Sequence, residues 1–265
     1  MIKLQVEIEM KVGKKMTVKK YRNTKDISYY MCDRTHTLTL PMLVNLTLEV
    51  SGEQSEALGL GEEIMQEKGY SWIILQYEFE IDRFPRNKET IEIETYATEY
   101  NKLFCYRDFI IRDLQGNVLI TIHSTFALFD FTKRKMARLP EEIVTPYKTI
   151  FNKRVKRTPK PLDIDEEKAY SQPFYVRYFD IDTNQHVNNS KYLDWTLNTL
   201  GGEFLKKHKL IYANVKFDKE VYEGQMIESY VSITENKESS ISAHKIRTQG
   251  LTNCSASFKW ENIEQ

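Results

Sequence analysis

Apolar residues follow a helical period and then an alternating one, and the chain goes through this sequence twice. Thr39-Leu40-Pro41 opens a stretch in which Leu43, Leu46, Val50 and Ala57 recur at helical spacing. A hydroxyl cap ahead of an early proline is a good helix start. Gly52 could interrupt this helix, and Gly59 and Gly61 mark its expected end. Residues 72–81, 90–98, 104–111 and 118–129 are then rich in β-branched and aromatic side chains, which predicts strands. A turn is expected at Pro85-Arg86-Asn87. Another falls at Asp113-Leu114-Gln115-Gly116-Asn117, where glycine can supply the positive φ of a hairpin.

A charged stretch punctuated by Pro140, Pro146, Pro159 and Pro161 separates this run from the next. Residues 174–182 read as extended, and Leu193, Leu197 and Leu200, flanked by Tyr192 and Trp195, predict a helix from about Asn188. Strands are expected at 210–221, 226–233, 241–248 and 251–260. Ile111-Arg112 before Gly116 has a counterpart in Ile246-Arg247 before Gly250, and 79–98 parallels 217–233. The pattern predicts an α+β protein of two similar halves, 1–147 and 173–265, joined by a surface linker over 148–172. In each half a long helix would cover an antiparallel sheet, and the two sheets could pair edge to edge.

Composition narrows the function. The chain of 265 residues carries 38 Lys+Arg and 38 Asp+Glu, a balance that argues against a nucleic-acid partner. No apolar run approaches the roughly 20 residues of a membrane span. The N-terminal residues mix charge and apolar groups, unlike a signal or transit peptide. Cys32, Cys105 and Cys254 are isolated and odd in number, so no disulfide framework is implied and a cytoplasmic location is expected. The cluster Lys153-Arg154-Val155-Lys156-Arg157 reads as solvated linker, or alternatively as a landing patch for an acidic carrier.

The candidate chemistry sits at the start of the second helix. Asp180, Asp182, Asn184 and His186 occupy every second position, so an extended backbone would project all four to one side. Asn188 or Asn189 would cap the helix that follows. Carboxylate, amide and imidazole would then meet at a helix N-terminus, where the dipole favours developing negative charge. A structural ion pair between Asp182 and His186 is the plainer alternative. Asp180-x-Asp182-x-Asn184 opens like a calcium loop, but Gln185 and Lys191 stand where Gly and a bidentate Glu are needed. No metal and no cofactor is expected.

The run from Asp180 to Trp195, with its core Asp182-Thr183-Asn184-Gln185-His186-Val187-Asn188-Asn189-Ser190-Lys191-Tyr192, resembles the signature of the acyl-[acyl-carrier-protein] thioesterases, the FatA/FatB type of plants and their bacterial relatives. Asp33-Arg34-Thr35, the strand around Trp72, Asp82-Arg83-Phe84-Pro85 and Leu139-Pro140-Glu141-Glu142 resemble the family too, in its order. The resemblance covers about 29–262 and implies a tandem hotdog fold, each long helix wrapped by an antiparallel sheet. It implies that Asp182, Asn184 and His186 are catalytic with a Glu on a following strand, a position matched by Glu220. Alternation would put Asn214, Lys216, Asp218 and Glu220 on one strand face. Val221 stands where plant members often carry a Cys, so a Cys nucleophile has no place there. The implied activity is hydrolysis of acyl-[acyl-carrier-protein] to free fatty acid, ending chain elongation. The first half would shape the acyl pocket and the second carry the catalysis. The implied partner is acyl carrier protein bearing a fatty acyl chain; a homodimer is left open. An acyl-CoA thioesterase of the same fold and a non-catalytic acyl-binding module are the alternatives. Backbone N–H groups around 187–189 would hold the oxyanion. The first half has no Asn-x-His, and His36 reads as structural.

Overall fold

The computed structural model describes residues 18–183 and 185–263; residues 1–17, Asn184 and residues 264–265 lie outside the described residues. Helix α1 (Leu40–Ala57) starts as the sequence requires, with the Thr39 hydroxyl accepting the Met42 N–H at 3.3 Å and proline in the first turn. It runs through Gly52 without a break, because Leu43, Val44, Leu46, Thr47 and Val50 before the glycine and Gln54 after it are buried and tie both sides to the core. Tertiary burial outweighs the ~1 kcal/mol that glycine costs a helix. The short helix α2 (Glu62–Glu67) follows.

The first-half strands are β1 (Tyr21–Asp26), β2 (Tyr70–Ile81), β3 (Thr90–Tyr100), β4 (Phe104–Asp113) and β5 (Val118–Asp130). Like α2, the small elements β6 (Lys135–Ala137), α3 (Glu141–Val144) and β7 (Ile150–Phe151) had no sequence signal. The second half supplies β8 (Tyr170–Tyr175), α4 (Asn189–Leu200), α5 (Gly202–Lys207), β9 (His208–Phe217), β10 (Met226–Glu235), β11 (Ser239–Thr248) and β12 (Leu251–Asn262). All twelve strands belong to one sheet whose main path runs β1-β3-β4-β5-β2-β9-β12-β11-β10-β8. Read outward from the β2–β9 seam, the two sides repeat the same connectivity. Helices α1 and α4 pack against each other on one face.

The seam is antiparallel, from Gln76 opposite Lys216 to Glu80 opposite Tyr212. Rings cross it on the helix-covered face: Tyr77 lies 5.6 Å from Phe79 and 6.2 Å from Phe217, which is 5.4 Å from Tyr192. On the other face, Gln76 Nε2 donates to Asn214 Oδ1 (2.8 Å) and to the Pro159 carbonyl (2.6 Å), and Asn214 Nδ2 donates to that carbonyl as well (2.9 Å). The segment after β7 is pinned further along by Asp165 N–H to Ser232 Oγ (2.9 Å), by Asp163 with Lys245 (2.8 Å) and by Glu166 with Arg247. Lys153, Arg154, Lys156 and Arg157 are all exposed on it.

The structure corrects one strand boundary. Pairing of β9 ends at Phe217, where Asp218 and Lys219 turn both N–H groups to the Asn253 carbonyl (2.8 and 3.1 Å). Residues 218–225 therefore form a loop, and Glu220 is not on a strand.

His244, on β11, is 1% exposed and meets Ser242 Oγ through Nε2 at 2.8 Å. Burial drives its pKa from 6.5 down to about 3, so the folded state keeps it neutral. Between those values the unfolded chain binds the proton and the folded chain does not. Its contribution is thus complete above pH 6.5 and is lost as pH falls toward 3. We expect urea unfolding to lose up to ~1.4 kcal/mol per pH unit through this window from His244, and His244→Leu to flatten that part of the acid limb.

Candidate active site

The stretch expected to be extended is a tight loop. Residues 178–180 form a single 3₁₀ turn, then Asp182 N–H donates to the His186 carbonyl (2.8 Å) and Gln185 N–H to the Asp182 carbonyl (3.0 Å). Gln185 takes a φ of 64°, and Ile181 bridges to Val187. Aspartate in such a turn bonds the backbone ahead of it, and Asp182 Oδ1 accepts the His186 N–H at 3.3 Å. The alternation of polar residues thus arose from turn chemistry, and Asp180 does not share a face with Asp182 and His186.

Asp180 separates from the others. It is fully buried and accepts the Arg177 backbone N–H (2.9 Å) and Arg177 Nη2 (3.0 Å), with Lys191 Nζ at 3.8 Å. Burial alone would raise its pKa, but the Arg177 hydrogen bonds and charge more than offset this and hold the carboxyl below its usual range. Its backbone carbonyl accepts the Asn188 N–H (2.9 Å), which fastens the loop to α4. Asn188 is the cap, with Oδ1 accepting the Ser190 N–H at 2.9 Å. The Asn188 N–H is therefore spent and is no oxyanion donor, which corrects part of the 187–189 expectation.

His186 and Glu220 do meet. His186 Nε2 lies 3.4 Å from Glu220 Oε1, with the side chains 30% and 43% exposed. The loop after β9 brings Glu220 there, held by Asn253 Nδ2 on its carbonyl (3.1 Å), while Tyr222 OH donates to Oε2 (3.4 Å). Val221 beside it is 1% exposed.

A cavity of about 350 Å³ opens under this pair, lined by Trp72, Ile74, Tyr192 and Phe217 as well as by Asp182 and Asn189. A second cavity of about 400 Å³ continues between α1, α2 and the first-half sheet, with Leu60, Met65 and Phe126 in its wall. The two share Ser71, Trp72, Ile74, Asp182 and Asn189, so Asp182 and Asn189 stand at the neck between them. Phe79, by contrast, is wholly enclosed core.

Arg107 also lines the inner cavity and was not anticipated. It is 6% exposed, donates through Nη1 to Gln54 Oε1 (2.6 Å) and Thr95 Oγ1 (3.0 Å), and lies over the Tyr147 ring. Burial lowers its pKa, and among the described residues no carboxylate pairs with it. A signal existed: Arg107 stands in the inward phase of β4, between Cys105 and Phe109.

The first half repeats the loop without its chemistry. Asp33 N–H donates to the Thr37 carbonyl (2.9 Å), Cys32 bridges to Leu38, and His36 takes a φ of 61°. Asp33 thus occupies the place of Asp182, exposed His36 that of Gln185, and Thr37 that of His186. Asp82 and Arg83 turn their N–H groups to Leu119 as Asp218 and Lys219 do to Asn253, which sets Phe84 in the place of Glu220. Neither proton carrier is duplicated.

The sequence matches the acyl-ACP thioesterase N-terminal domain over residues 18–147 and the C-terminal domain over 164–262. The chain belongs to the acyl-ACP thioesterase family. Among solved structures, an oleoyl thioesterase (putative) from Lactobacillus plantarum is 34% identical with a TM-score of 0.91, covering 94% of this chain and 98% of that one. The 12:0-ACP thioesterase from Umbellularia californica shares the fold at 22% identity and a TM-score of 0.81, covering 92% of this chain and 98% of that one. Acyl-[acyl-carrier-protein] hydrolase FATB3 of Cuphea viscosissima is 26% identical over 243 residues, 86% of this chain and 59% of that protein. The chain spans about three-fifths of the length of the curated relatives it matches.

For this acyl-ACP thioesterase family member, Asn188→Ala should cost about 1 kcal/mol of unfolding free energy, the usual value of a helix cap. Asp180→Ala should cost more, because it also releases the loop from Arg177. Denaturant unfolding of both variants measures the order.

Proposed function

We propose that the protein hydrolyses the thioester of acyl-[acyl-carrier-protein] and releases free fatty acid, with Asp182, Asn184, His186 and Glu220 as the working residues. The observation that carries this reading is the His186–Glu220 contact at the mouth of a cavity that adjoins, at Asp182 and Asn189, an inner chamber walled in part by Leu60, Met65 and Phe126. A titratable pair beside a chain-shaped apolar space suits a water attacking an acyl carbonyl.

In this reading water lies against the pair and gives a proton to it as its oxygen bonds the carbonyl carbon. The negative charge that develops on the carbonyl oxygen faces the N–H of Asn189 in the first turn of α4, a contact of a type often worth ~3 kcal/mol. Collapse of the tetrahedral centre breaks the carbon–sulfur bond, and the pair returns the proton to the leaving thiolate. Asp182, tied to the His186 backbone, orients that strand of the loop; Asn184 would position Asp182 or the water. Direct attack by Asp182 through an anhydride is the other route, and single turnover in ¹⁸O-water separates the two: label in Asp182 marks the anhydride.

We further read the two halves as a tandem hotdog divided at 1–147 and 173–265, with 148–172 between them. The seam-centred repeat of connectivity and the twin loops support this. Among the described residues no helix is long and apolar enough to cross a membrane, which suits the cytoplasmic location proposed for the chain.

Hydrolysis of a panel of acyl-carrier substrates tests the activity. We expect His186→Ala and Glu220→Gln each to lower kcat by about 10²–10⁴-fold, with acyl-CoA a poorer substrate than the carrier-bound chain; faster turnover of acyl-CoA would overturn the choice of carrier. The buried guanidinium of Arg107 should also limit how far a methyl-ended chain advances, since apolar carbon gains ~0.8 kcal/mol per buried CH₂ only against apolar partners. Arg107→Met should shift kcat/KM toward longer chains, read across the same panel.

A further inference from the structure

The acyl chamber and the reactive pair leave a third space unused. A cavity of about 460 Å³ is lined by Phe129, Arg134, Lys219, Glu220, Thr248 and Asn253 among others. It shares Phe129, Lys219 and Glu220 with the cavity of the reactive pair, so the three spaces form one run through Glu220.

Its rim carries cations that no described carboxylate pairs with. Arg134 and Lys219 are exposed, and neither makes an ion pair with a described residue. Arg134 sits on the turn between β5 and β6, beside Lys133, whose charge is matched by Asp130 at 2.8 Å. Lys135 and Arg138 are exposed on the same hairpin. In the wall, Asn253 is 3% and Thr248 8% exposed. Asn253 spends Nδ2 on the Glu220 carbonyl, and its Oδ1, like Thr248 Oγ1, has no hydrogen-bond partner among the described residues. Buried polar atoms without partners are uncommon and costly. Those two atoms are closed off from the cavity, so the cavity's own recognition groups are the unpaired cations at its rim, which suit a ligand carrying a phosphate.

We propose that this outer cavity holds the phosphopantetheine arm of the acyl carrier, with Arg134 and Lys219 meeting its phosphodiester and the β5–β6 hairpin receiving the acidic carrier. The proposal rests on the thioesterase reading, which requires the arm to leave the reactive pair on the side away from the acyl chamber. The other basic cluster fits less well. Lys156 and Arg157 line a separate cavity with Asp108 and His123, which shares no lining residue with the reactive site.

The test compares one acyl group on pantetheine, on 4′-phosphopantetheine and on the carrier protein, for wild type, Arg134→Glu and Arg157→Glu. Wild type should favour the phosphorylated arm over the unphosphorylated one at least tenfold in kcat/KM, chiefly through KM, and the preference should weaken as salt rises. In Arg134→Glu that preference should fall to near unity and KM for the carrier substrate should rise at least tenfold. Arg157→Glu should behave as wild type. An unchanged preference in Arg134→Glu, or its loss in Arg157→Glu, overturns the proposal. Should wild type hydrolyse none of the three, the thioesterase reading fails by itself. Binding of carrier protein bearing a non-hydrolysable acyl amide then decides the surface, and equal affinity for wild type and Arg134→Glu overturns it.

Discussion

Everything in the molecule depends on the pairing of β2 with β9. Each half alone would offer a raw strand edge to solvent, a liability that pairing removes. Their union is stitched on one face by Gln76, Asn214 and the Pro159 carbonyl, and on the other by the ring series from Phe79 through Tyr77 and Phe217 to Tyr192. The functional cavity inherits its walls from this union. Trp72 and Ile74 come from β2, Phe217 from β9, and Asp182 and His186 from the loop before α4. A site composed this way exists only when the seam is closed.

The two halves use one backbone device and fill it differently. A turn with a left-handed residue, Gln185 or His36, precedes a capped helix in both. The second half places imidazole and carboxylate around that turn, and the first places Thr37 and Phe84 there. The space under α1 and α2 in the first half is walled by Leu60, Met65 and Phe126 together with Arg107 and Glu56.

Much of this was legible in the letters, and the misses have physical reasons. The helices and principal strands followed from period, because tertiary burial kept to the same faces. The loop at 181–187 was misread because polar residues at alternate positions arise from a half-exposed strand and from an aspartate turn alike; only the Asp182–His186 backbone bond separates them. Glu220 was found on a wrong premise: its neighbourhood was right, but the strand ends at Phe217 and a loop held by Asn253 delivers it. The inward phase of β4 already contained Arg107, yet its meaning depends on a cavity that no single strand pattern encodes. The prolines mark the stretch before β8 in the letters, whereas its anchoring needed the facing side chains Asn214, Ser232 and Lys245.

The neck formed by Asp182 and Asn189 carries one more consequence. In the proposed reaction a neutral thioester carbonyl held there would become a free acid, and its new anion would be left beside Asp182 and Glu220. Like charges at such range repel, while the hydrocarbon tail remains content in its chamber. Turnover by this route would convert a well-matched guest into one pushed at its head and gripped only along its length, so the chemical step itself would loosen the product.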